Sequence, residues 1–300
     1  MAASIDSDRT TEAAAAIRHH YDVGNAFYSL WLDRSLTYSC AIRESADDTL
    51  ETAQERKLQL HLDAIRADRA GSVLDIGCGW GSILKRLAET HRIQRSVGLT
   101  LSEEQADFVR SRGYPGVEVR TENWMHYEPD TRFDGIISIG AFEHFAGPED
   151  SSAEKVRLYR EFFTRCRSWL NKDGVLSLQT IAYANMSREN ASQFIQQEIF
   201  PKADLPTLAE ITAAAEGVFE VQSVTNGRLD YAWTCEEWAR RLRLHRDEAV
   251  HVVGPEVVAR YERYLKLSAL GFRMGKICLF RLVLHPFKSK YFEGRGVQAR

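Results

Sequence analysis

The stretch from Val73 to Gly81 reads VLDIGCGWG and connects a short apolar run to an amphipathic segment. Its glycines, Gly77, Gly79 and Gly81, allow a tight turn and let the backbone approach a ligand that any Cβ atom would exclude. The helix after the turn would point the positive end of its dipole at the same ligand. The stretch therefore predicts a strand, a glycine turn and a helix that form one side of a binding site.

The spacing of these glycines distinguishes between two kinds of ligand. Dinucleotide sites carry G-x-G-x-x-G, and an acidic residue at the end of the second strand binds the ribose. Here the pattern is D-x-G-x-G-x-G from Asp75 onward, and the second strand run ends in Thr100. The spacing favours S-adenosylmethionine over a dinucleotide. The alternative is that the glycines serve only tight packing and bind no ligand. Asp75 on the strand and the order of the surrounding elements argue against it.

The rest of the chain alternates short apolar or β-branched runs with amphipathic stretches, which is typical of βαβ units around a parallel sheet. We expect an α/β fold of the Rossmann-like class I methyltransferase type, with a mostly parallel seven-stranded sheet and a helical lid. The strands are expected at residues 72–77, 96–100, 117–121, 133–139, 174–181, 219–225 and 277–285.

Two regions do not fit the repeating unit and are expected to act as lids. The first precedes the first strand and carries Leu58 and Leu62 on one face of an amphipathic segment. The second is interrupted by prolines. We therefore divide the chain into an N-terminal helical lid at 1–70 and a cofactor-binding domain at 71–300, with a lid insertion at about 183–218.

Composition narrows the class of partner and the compartment. A net charge of -3 gives no overall basic bias, so nucleic acid is not an expected partner. The five cysteines form no C-x-x-C pair and the sequence shows no metal-ligand cluster, so neither disulfides nor a metal are expected. The N-terminus lacks the apolar run of a secretory signal, and Arg281 interrupts the apolar stretch ICLFRLVL. We expect a cytoplasmic protein, at most peripheral to the membrane.

Topology predicts which residues surround the ligand, because open α/β sheets bind ligands outside the carboxyl ends of their strands. Thr100 and Gln105 would offer hydroxyl and amide groups to a ribose, and Trp124 a flat face to an adenine. The full set of expected cofactor-binding residues from these strand ends is Asp75, Gly77, Gly79, Gly81, Thr100, Leu101, Gln105, Asn123, Trp124 and Ile139.

Eight short motifs extend this pattern along the chain. They are HYDVGNAFYSLWLD (20–33), LTYSC (36–40), VLDIGCGWGS (73–82), VGLTLSEEQ (97–105), SIGAFEHF (138–145), EIFPKADLP (198–206), DYAWT (230–234) and FRMGK (272–276). Together they resemble the cyclopropane fatty-acid and mycolic-acid cyclopropane synthases over about residues 17–285. The resemblance implies an S-adenosylmethionine-dependent methyltransferase in which Tyr38 and Ser39 close over the methionine part of the cofactor.

In that family a methyl group passes to an alkene carbon of an acyl chain, and the resulting carbocation loses a proton. A cation in an apolar pocket is costly unless aromatic faces or an anion lie near it; motif position indicates Tyr21 and Tyr231. The family's proton acceptor is a bicarbonate ion held by a cysteine, a glutamate, a histidine, a tyrosine and a backbone amide. The resemblance assigns these roles to Cys40, Glu143, Tyr231 and the Ile139 backbone.

The family's histidine is replaced by Gln179 in this sequence. A glutamine amide can donate to an anion but can neither ionise nor shuttle a proton. This replacement leaves two hypotheses. Either Gln179 substitutes for the histidine and bicarbonate binds between Cys40, Gln179 and Tyr231, or Glu143 acts directly as the base, which requires that burial raise its pKa towards neutrality.

The expected acceptor is the alkene of an unsaturated fatty acyl chain on a phospholipid or carrier protein, giving a cyclopropane, methyl or methylene branch. The enzyme would then touch a membrane surface transiently, as a monomer or a homodimer. Alternatives are methylation of an isoprenoid carbon or an alkaloid nitrogen, and a non-catalytic module that only binds S-adenosylmethionine. A diphosphate acceptor would need several cations at the pocket mouth. The candidates are Arg18, Arg240, Arg241, Arg243 and Arg246, and the alternative is that these arginines form a solvated helix face.

Overall fold

The computed structural model describes residues 24–186 and 203–287, in which seven strands form one sheet. The strands are β1 Ser72–Ile76, β2 Arg95–Thr100, β3 Val117–Thr121, β4 Phe133–Ile139, β5 Leu170–Tyr183, β6 Phe219–Asn226 and β7 Ile277–Pro286. Their order is β3-β2-β1-β4-β5-β7-β6, and β7 runs antiparallel to both of its neighbours while the other pairs are parallel. The predicted fold class is confirmed.

Helices connect these strands and cover the sheet. They are α1 Asn25–Ser29, α2 Leu50–Ala64, α3 Ser82–Arg86, α4 Glu103–Ser111, α5 Ser152–Trp169, α6 Leu208–Ala215, α7 Arg228–Leu244, α8 Arg246–Val253 and α9 Pro255–Arg273. A π-helical turn at Leu87–His91 continues α3, and short 3-10 turns lie at Ala67–Arg69 and Phe142–His144. Capping boxes begin α5 and α6, where Ser151 pairs with Glu154 and Thr207 with Glu210.

Strand β5 begins four residues before its predicted start at residue 174. The reason is that α5 ends at Trp169 and the chain enters the sheet at once, with Leu170 paired to Phe133 of β4. A side-chain hydrogen bond from Asn171 to Asp134 (2.7 Å) fixes the same pair of strands. The polar sequence of this segment gave no periodic signal for a strand.

Helix α2 packs against the sheet, although the sequence placed it in an N-terminal lid. Its Leu58 and Leu62, and Ile65 just after it, are buried in one apolar cluster with Val73 of β1 and Val175 of β5. The helical spacing of apolar residues identified the helix correctly. An apolar helix face can pack against a sheet as well as close over a cavity, so the spacing did not distinguish the two. The division of the chain at residue 70 stays a prediction.

A layer formed by α7, α8 and α9 covers the end of the sheet where the N-terminal segment lies, and the sequence pattern did not single it out. Its Trp238 and Tyr261 are buried together with Phe27, Tyr28 and Trp31. The hydroxyl groups of Tyr28 and Tyr261 are 2.8 Å apart. These aromatic side chains of the first motif therefore stabilise the attachment of the N-terminal segment.

Part of the predicted insertion at 183–218 lies outside the described residues, namely 187–202. The segment that begins at residue 203 is anchored by charge. The ammonium of Lys155 on α5 donates to Asp204 Oδ2 (2.7 Å), and the Tyr183 hydroxyl donates to Asp204 Oδ1 (2.9 Å). Helix α6 then packs on α5 with Ile211 buried in the core.

Gly81 offers a test of the turn that decides the fold. It precedes α3 with φ +79°, and a Cβ atom there would lie 2.8 Å from a methyl group of Val109 on α4. We expect Gly81→Ala to lower the free energy of unfolding by about 1–2 kcal/mol through backbone strain and by a further ~1–3 kcal/mol through overpacking. Chemical denaturation would measure the total loss of unfolding free energy.

The matched control is Gly217→Ala, because Gly217 has φ +76° but no atom within 4 Å of the added Cβ. Only the backbone cost should appear there. Equal losses in the two variants would contradict the packing role of Gly81.

Candidate active site

A cavity opens at the carboxyl ends of β1, β2, β3 and β4. Almost every residue that the sequence predicted at a cofactor lines it: Tyr38, Ser39, Asp75, Gly77, Gly79, Thr100, Leu101, Gln105, Asn123, Trp124 and Ile139. Gly81 does not line the cavity, since it faces α4 instead. The role expected for Gly81 as a cofactor contact stays a prediction, and the structure adds a role in packing against α4.

The glycine turn forms the floor of the cavity. The backbone N–H groups of Gly77 and Cys78 both donate to the carbonyl oxygen of Leu99 (2.9 Å each), which ties the end of β1 to β2. Gly77 has φ +81°, and a Cβ atom on it would lie 2.6 Å from the Cβ of Ala141 after β4. No other residue fits this close approach. A ligand can consequently rest directly on the backbone here.

The far end of the cavity, after β2 and β3, carries hydroxyl, amide and aromatic groups. The Thr100 hydroxyl donates to Gln105 Oε1 (2.8 Å), so Gln105 is held by its oxygen while its amide group remains a donor. Ser102 accepts from the Gln105 N–H and caps α4. Trp124 packs its ring 5.0 Å from that of Phe145, and both line the cavity.

The near end, beside β1, carries charges. Lys57 of α2 lines the cavity, is fully buried and donates to the Ser39 hydroxyl (2.9 Å). Burial raises the pKa of Asp75 to about 7, although the ammonium of Lys57 lowers it in part. Sequence reasoning missed Lys57, because a lysine in an amphipathic helix normally faces solvent and the register of α2 against the sheet is a tertiary property.

A second polar cluster lies behind the cavity, on the face of the sheet where β4, β5 and β7 pair. Ile139, Gln179 and Arg281 stand opposite one another on these three strands. Arg281 Nε donates to Gln179 Oε1 (2.8 Å), and Arg281 Nη2 donates to Cys40 Sγ (3.2 Å) and to the Ala41 carbonyl (3.0 Å). The guanidinium therefore joins two of the residues that were expected to hold bicarbonate.

The surroundings of Arg281 are built to hold this side chain. It is buried, and its nearest carboxylate oxygen is Asp230 Oδ2, 3.6 Å from Nη1. Gly227 packs directly on the guanidinium, where any Cβ atom would collide with it. Burial raises the pKa of the Cys40 thiol to about 12 despite the neighbouring charge. The signal in the sequence was a lone arginine inside an apolar strand.

Glu143 lies on the 3-10 turn after β4, next to residues that line the cavity. Its Oε1 accepts the backbone N–H of Ile181 (2.6 Å), whereas its Oε2 is buried and has no hydrogen-bond partner among the described residues. Burial raises the pKa of Glu143 to about 7. Burial lowers the pKa of His144 to about 4, so its ring is neutral near pH 7.

Tyr231, on the first turn of α7, is buried and stacks on Phe272 with ring centroids 4.5 Å apart. Burial raises its pKa well above the ordinary value, and electrostatic contributions from Cys40 and Glu143 raise that pKa further. The structure thus brings Tyr231, Cys40 and Glu143 into one region. Tyr21 lies outside the described residues.

Three of the arginines considered for a diphosphate, Arg240, Arg241 and Arg246, pair with carboxylates, and Arg18 lies outside the described residues. Arg240 bonds Glu237, and Arg241 bonds both Glu237 and Glu51. Arg246 lies 3.3 Å from Glu262. Among the residues that the structure describes, no helix is long and apolar enough to cross a membrane, and no group of metal-ligating side chains comes together.

The chain is similar to several characterised proteins along most of its length. The family described as mycolic acid cyclopropane synthetase matches residues 8–282. Cyclopropane mycolic acid synthase 2 of Mycobacterium tuberculosis is 36% identical over 289 residues, which cover 89% of this chain and 94% of that protein.

Solved structures agree with the sequence relatives. The cyclopropane synthase MmaA2 from Mycobacterium tuberculosis superposes with a TM-score of 0.81 at 32% identity, covering 91% of this chain and 98% of that one. Mycolic acid cyclopropane synthase CmaA1 complexed with SAH and CTAB gives the same TM-score, identity and coverage. Sequence, fold and cavity agree, so the chain belongs to the mycolic acid cyclopropane synthetase family and is an S-adenosylmethionine-dependent methyltransferase.

Proposed function

We propose that this enzyme transfers a methyl group to the alkene of an unsaturated acyl chain, and that Glu143 accepts the proton lost afterwards. The observation that carries the proposal is the buried carboxylate of Glu143, whose Oε2 has no partner in the described part of the chain. An unpaired carboxylate oxygen at a buried site is costly and marks a group kept for a reaction.

An apolar acceptor suits the walls of the cavity. Leu36, Met125, Phe145 and Leu158 all line it. Lys57 is the only lysine or arginine among its described lining residues, and a diphosphate would need several such cations. The sequence relatives are synthases of mycolic acids, which are lipids. A phospholipid acceptor would further require transient contact with a membrane surface.

In the proposed reaction the protein positions the cofactor and the acceptor and supplies a group that accepts a proton. The bound cofactor supplies a methyl group already activated on a sulfonium. Once the methyl carbon has bonded to one alkene carbon, the other carries a positive charge until a C–H bond breaks and its electrons form the new bond. Glu143 Oε2 takes that proton, and a pKa of about 7 leaves about half of the carboxylate ionised at neutral pH.

Bicarbonate does not fit the residues that the resemblance assigned to it. Arg281 already donates to Gln179 Oε1 and Cys40 Sγ, so both groups present acceptor atoms to a cation that fills the space between them. The Cys40 thiol in turn donates to the Ala41 carbonyl, so the Gln179 amide group is the donor that these two side chains keep for an anion. We therefore derive no step through bicarbonate and favour direct proton transfer to Glu143.

The acceptor class can be tested with methyl-labelled S-adenosylmethionine. Purified enzyme is incubated with vesicles of unsaturated phospholipid, with saturated vesicles as the control, and with the aqueous metabolite fraction of a cell extract. We expect label in the lipid phase with unsaturated vesicles only, because the reaction needs an alkene. Label confined to the aqueous phase would contradict the acyl acceptor and indicate that the enzyme methylates a small metabolite, such as an amine or isoprenoid.

Glu143→Gln should lower turnover by about 10²–10⁴-fold, the usual contribution of a general base, while cofactor affinity stays unchanged. The wild-type rate should rise with pH up to about 7 and then level off, because only the ionised carboxylate accepts a proton. Single-turnover rates across pH measure both effects.

Glu161→Gln is the control, since Glu161 is an exposed α5 carboxylate that accepts a hydrogen bond from Arg165. A Glu143→Gln variant that keeps both the rate and the pH profile would remove Glu143 from the mechanism.

Depletion of bicarbonate should leave wild-type turnover unchanged, because Glu143 itself takes the proton and Arg281 holds Gln179 and Cys40 by their acceptor atoms. Turnover is measured in carbon-dioxide-free buffer before and after bicarbonate is restored, with sodium chloride added at the same ionic strength as the control. A rate that falls on depletion and recovers specifically with bicarbonate would contradict the direct role of Glu143.

A further inference from the structure

Helix α9 exposes two large apolar side chains near its C-terminal end. Leu270 is 51% exposed and Met274, one turn later, is 58% exposed. The backbone N–H of Met274 donates to the Leu270 carbonyl oxygen (2.9 Å), so the two side chains lie on the same side of the helix. Leu229 of α7 is 59% exposed at the same end of α9, where the neighbouring Arg228 donates to the Arg273 carbonyl oxygen (2.8 Å). A group of exposed apolar side chains, unlike a single one, marks an interaction site.

Basic side chains share this face of α9. Arg263, Lys266, Leu270 and Arg273 follow one another at intervals of three or four residues, and all four are exposed. Such intervals place side chains in one stripe along a helix. We call these four residues together with Met274 the α9 patch. It combines apolar side chains at one end of the helix with positive charges beside them.

Charge in this part of the chain is opposite in sign to that of the whole protein. Five basic residues and one acidic residue lie between positions 260 and 276, although the chain carries a net charge of -3. Arg273 pairs with Glu236 of α7. Lys266 is exposed and has no ion-pair partner among the residues that the structure describes. The α9 patch therefore suits a negatively charged surface.

The α9 patch lies on the outer side of a helix whose inner side borders the reaction region. Phe272 is buried on that inner side and stacks on Tyr231. Tyr231 is close enough to Cys40 and Glu143 for both to shift its pKa. A helix with its side chains is about 10–12 Å across. A lipid bilayer on the patch would thus hold its acyl chains about one helix diameter from Tyr231.

We propose that the α9 patch is the surface by which the enzyme docks on an anionic lipid bilayer. Basic side chains are attracted to anionic headgroups, and apolar side chains on the same helix face enter the boundary between headgroups and acyl chains. An acidic protein would satisfy the charges too, but large apolar side chains that stand out from a helix favour a bilayer, which closes around them. The proposal rests on the acyl acceptor proposed above, because a phospholipid acceptor lies in a membrane.

Vesicle sedimentation tests this surface without any methyl transfer. The protein is mixed with vesicles of phosphatidylglycerol and phosphatidylcholine, or of phosphatidylcholine alone, in the absence of S-adenosylmethionine. We expect binding to the anionic vesicles that weakens as salt is added, because ions screen exposed charges, and little binding to the neutral ones. Equal binding to both kinds of vesicle, or binding to neither, would overturn the proposal.

Substitutions then locate the surface. Arg263→Gln combined with Lys266→Gln should weaken binding to anionic vesicles by about 10- to 30-fold, from the usual contribution of two basic residues near such a surface. Leu270→Ser should weaken it by about tenfold, because an apolar side chain no longer leaves water. The matched control combines Lys85→Gln with Arg157→Gln, which removes two exposed basic residues from α3 and α5, and should bind as the wild type does.

The remaining outcomes separate the patch from its alternatives. Met274→Ser should repeat the effect of Leu270→Ser, and all variants should keep the wild-type unfolding midpoint because their side chains are exposed. Equal weakening by the control pair would assign binding to overall charge and exclude the α9 patch. Variants that lose affinity for an added acidic acyl carrier protein, but not for vesicles, would make the partner a protein and exclude the bilayer.

Failure of this proposal is distinguishable from failure of the proposed function. Vesicle binding through the patch without labelled lipid would contradict the acyl acceptor and still support the docking surface. Labelled lipid together with vesicle binding that the α9 substitutions leave unchanged would support the acceptor and overturn the docking surface.

Discussion

Two backbone amides that share one carbonyl oxygen determine where this enzyme can bind its cofactor. Gly77 and Cys78 both donate to Leu99, so the turn after β1 is locked to the end of β2. The missing Cβ of Gly77 brings Ala141, after β4, against the same turn. Three strand ends are thereby held in one fixed arrangement, and the side chains that line the cavity are positioned relative to it.

Charge is distributed unevenly around this arrangement. Helix α2 brings Lys57 to the β1 end, while the β3 end stays aromatic and amide-rich. Away from the cavity lining, Arg281 places a buried permanent charge beside Cys40 and Gln179. Asp230, 3.6 Å from the guanidinium, is the carboxylate that opposes this charge.

Gln179 lies in a hydrogen-bonded cluster with Arg281 and Cys40. Where the family has a histidine, this chain has an amide whose oxygen accepts from Arg281. The pair lies side by side because β5 and β7 are antiparallel and in register at these positions. Gln179 is therefore linked through Arg281 to the Cys40 thiol, and the three side chains form one hydrogen-bonded cluster.

The sequence by itself determined the α/β class and the strand positions within a few residues, because glycine turns and strand periodicity are local patterns. It also determined nearly all of the expected cavity lining, because the carboxyl ends of parallel strands meet at one edge of the sheet. It did not determine that α2 packs on the sheet, that Gly81 serves packing, or that Lys57 and Arg281 face the site. Those facts depend on which strands pair and in which register, and on which side a helix buries. Contacts between residues as distant in sequence as Cys40 and Arg281 leave no local pattern, so only the tertiary structure decided them.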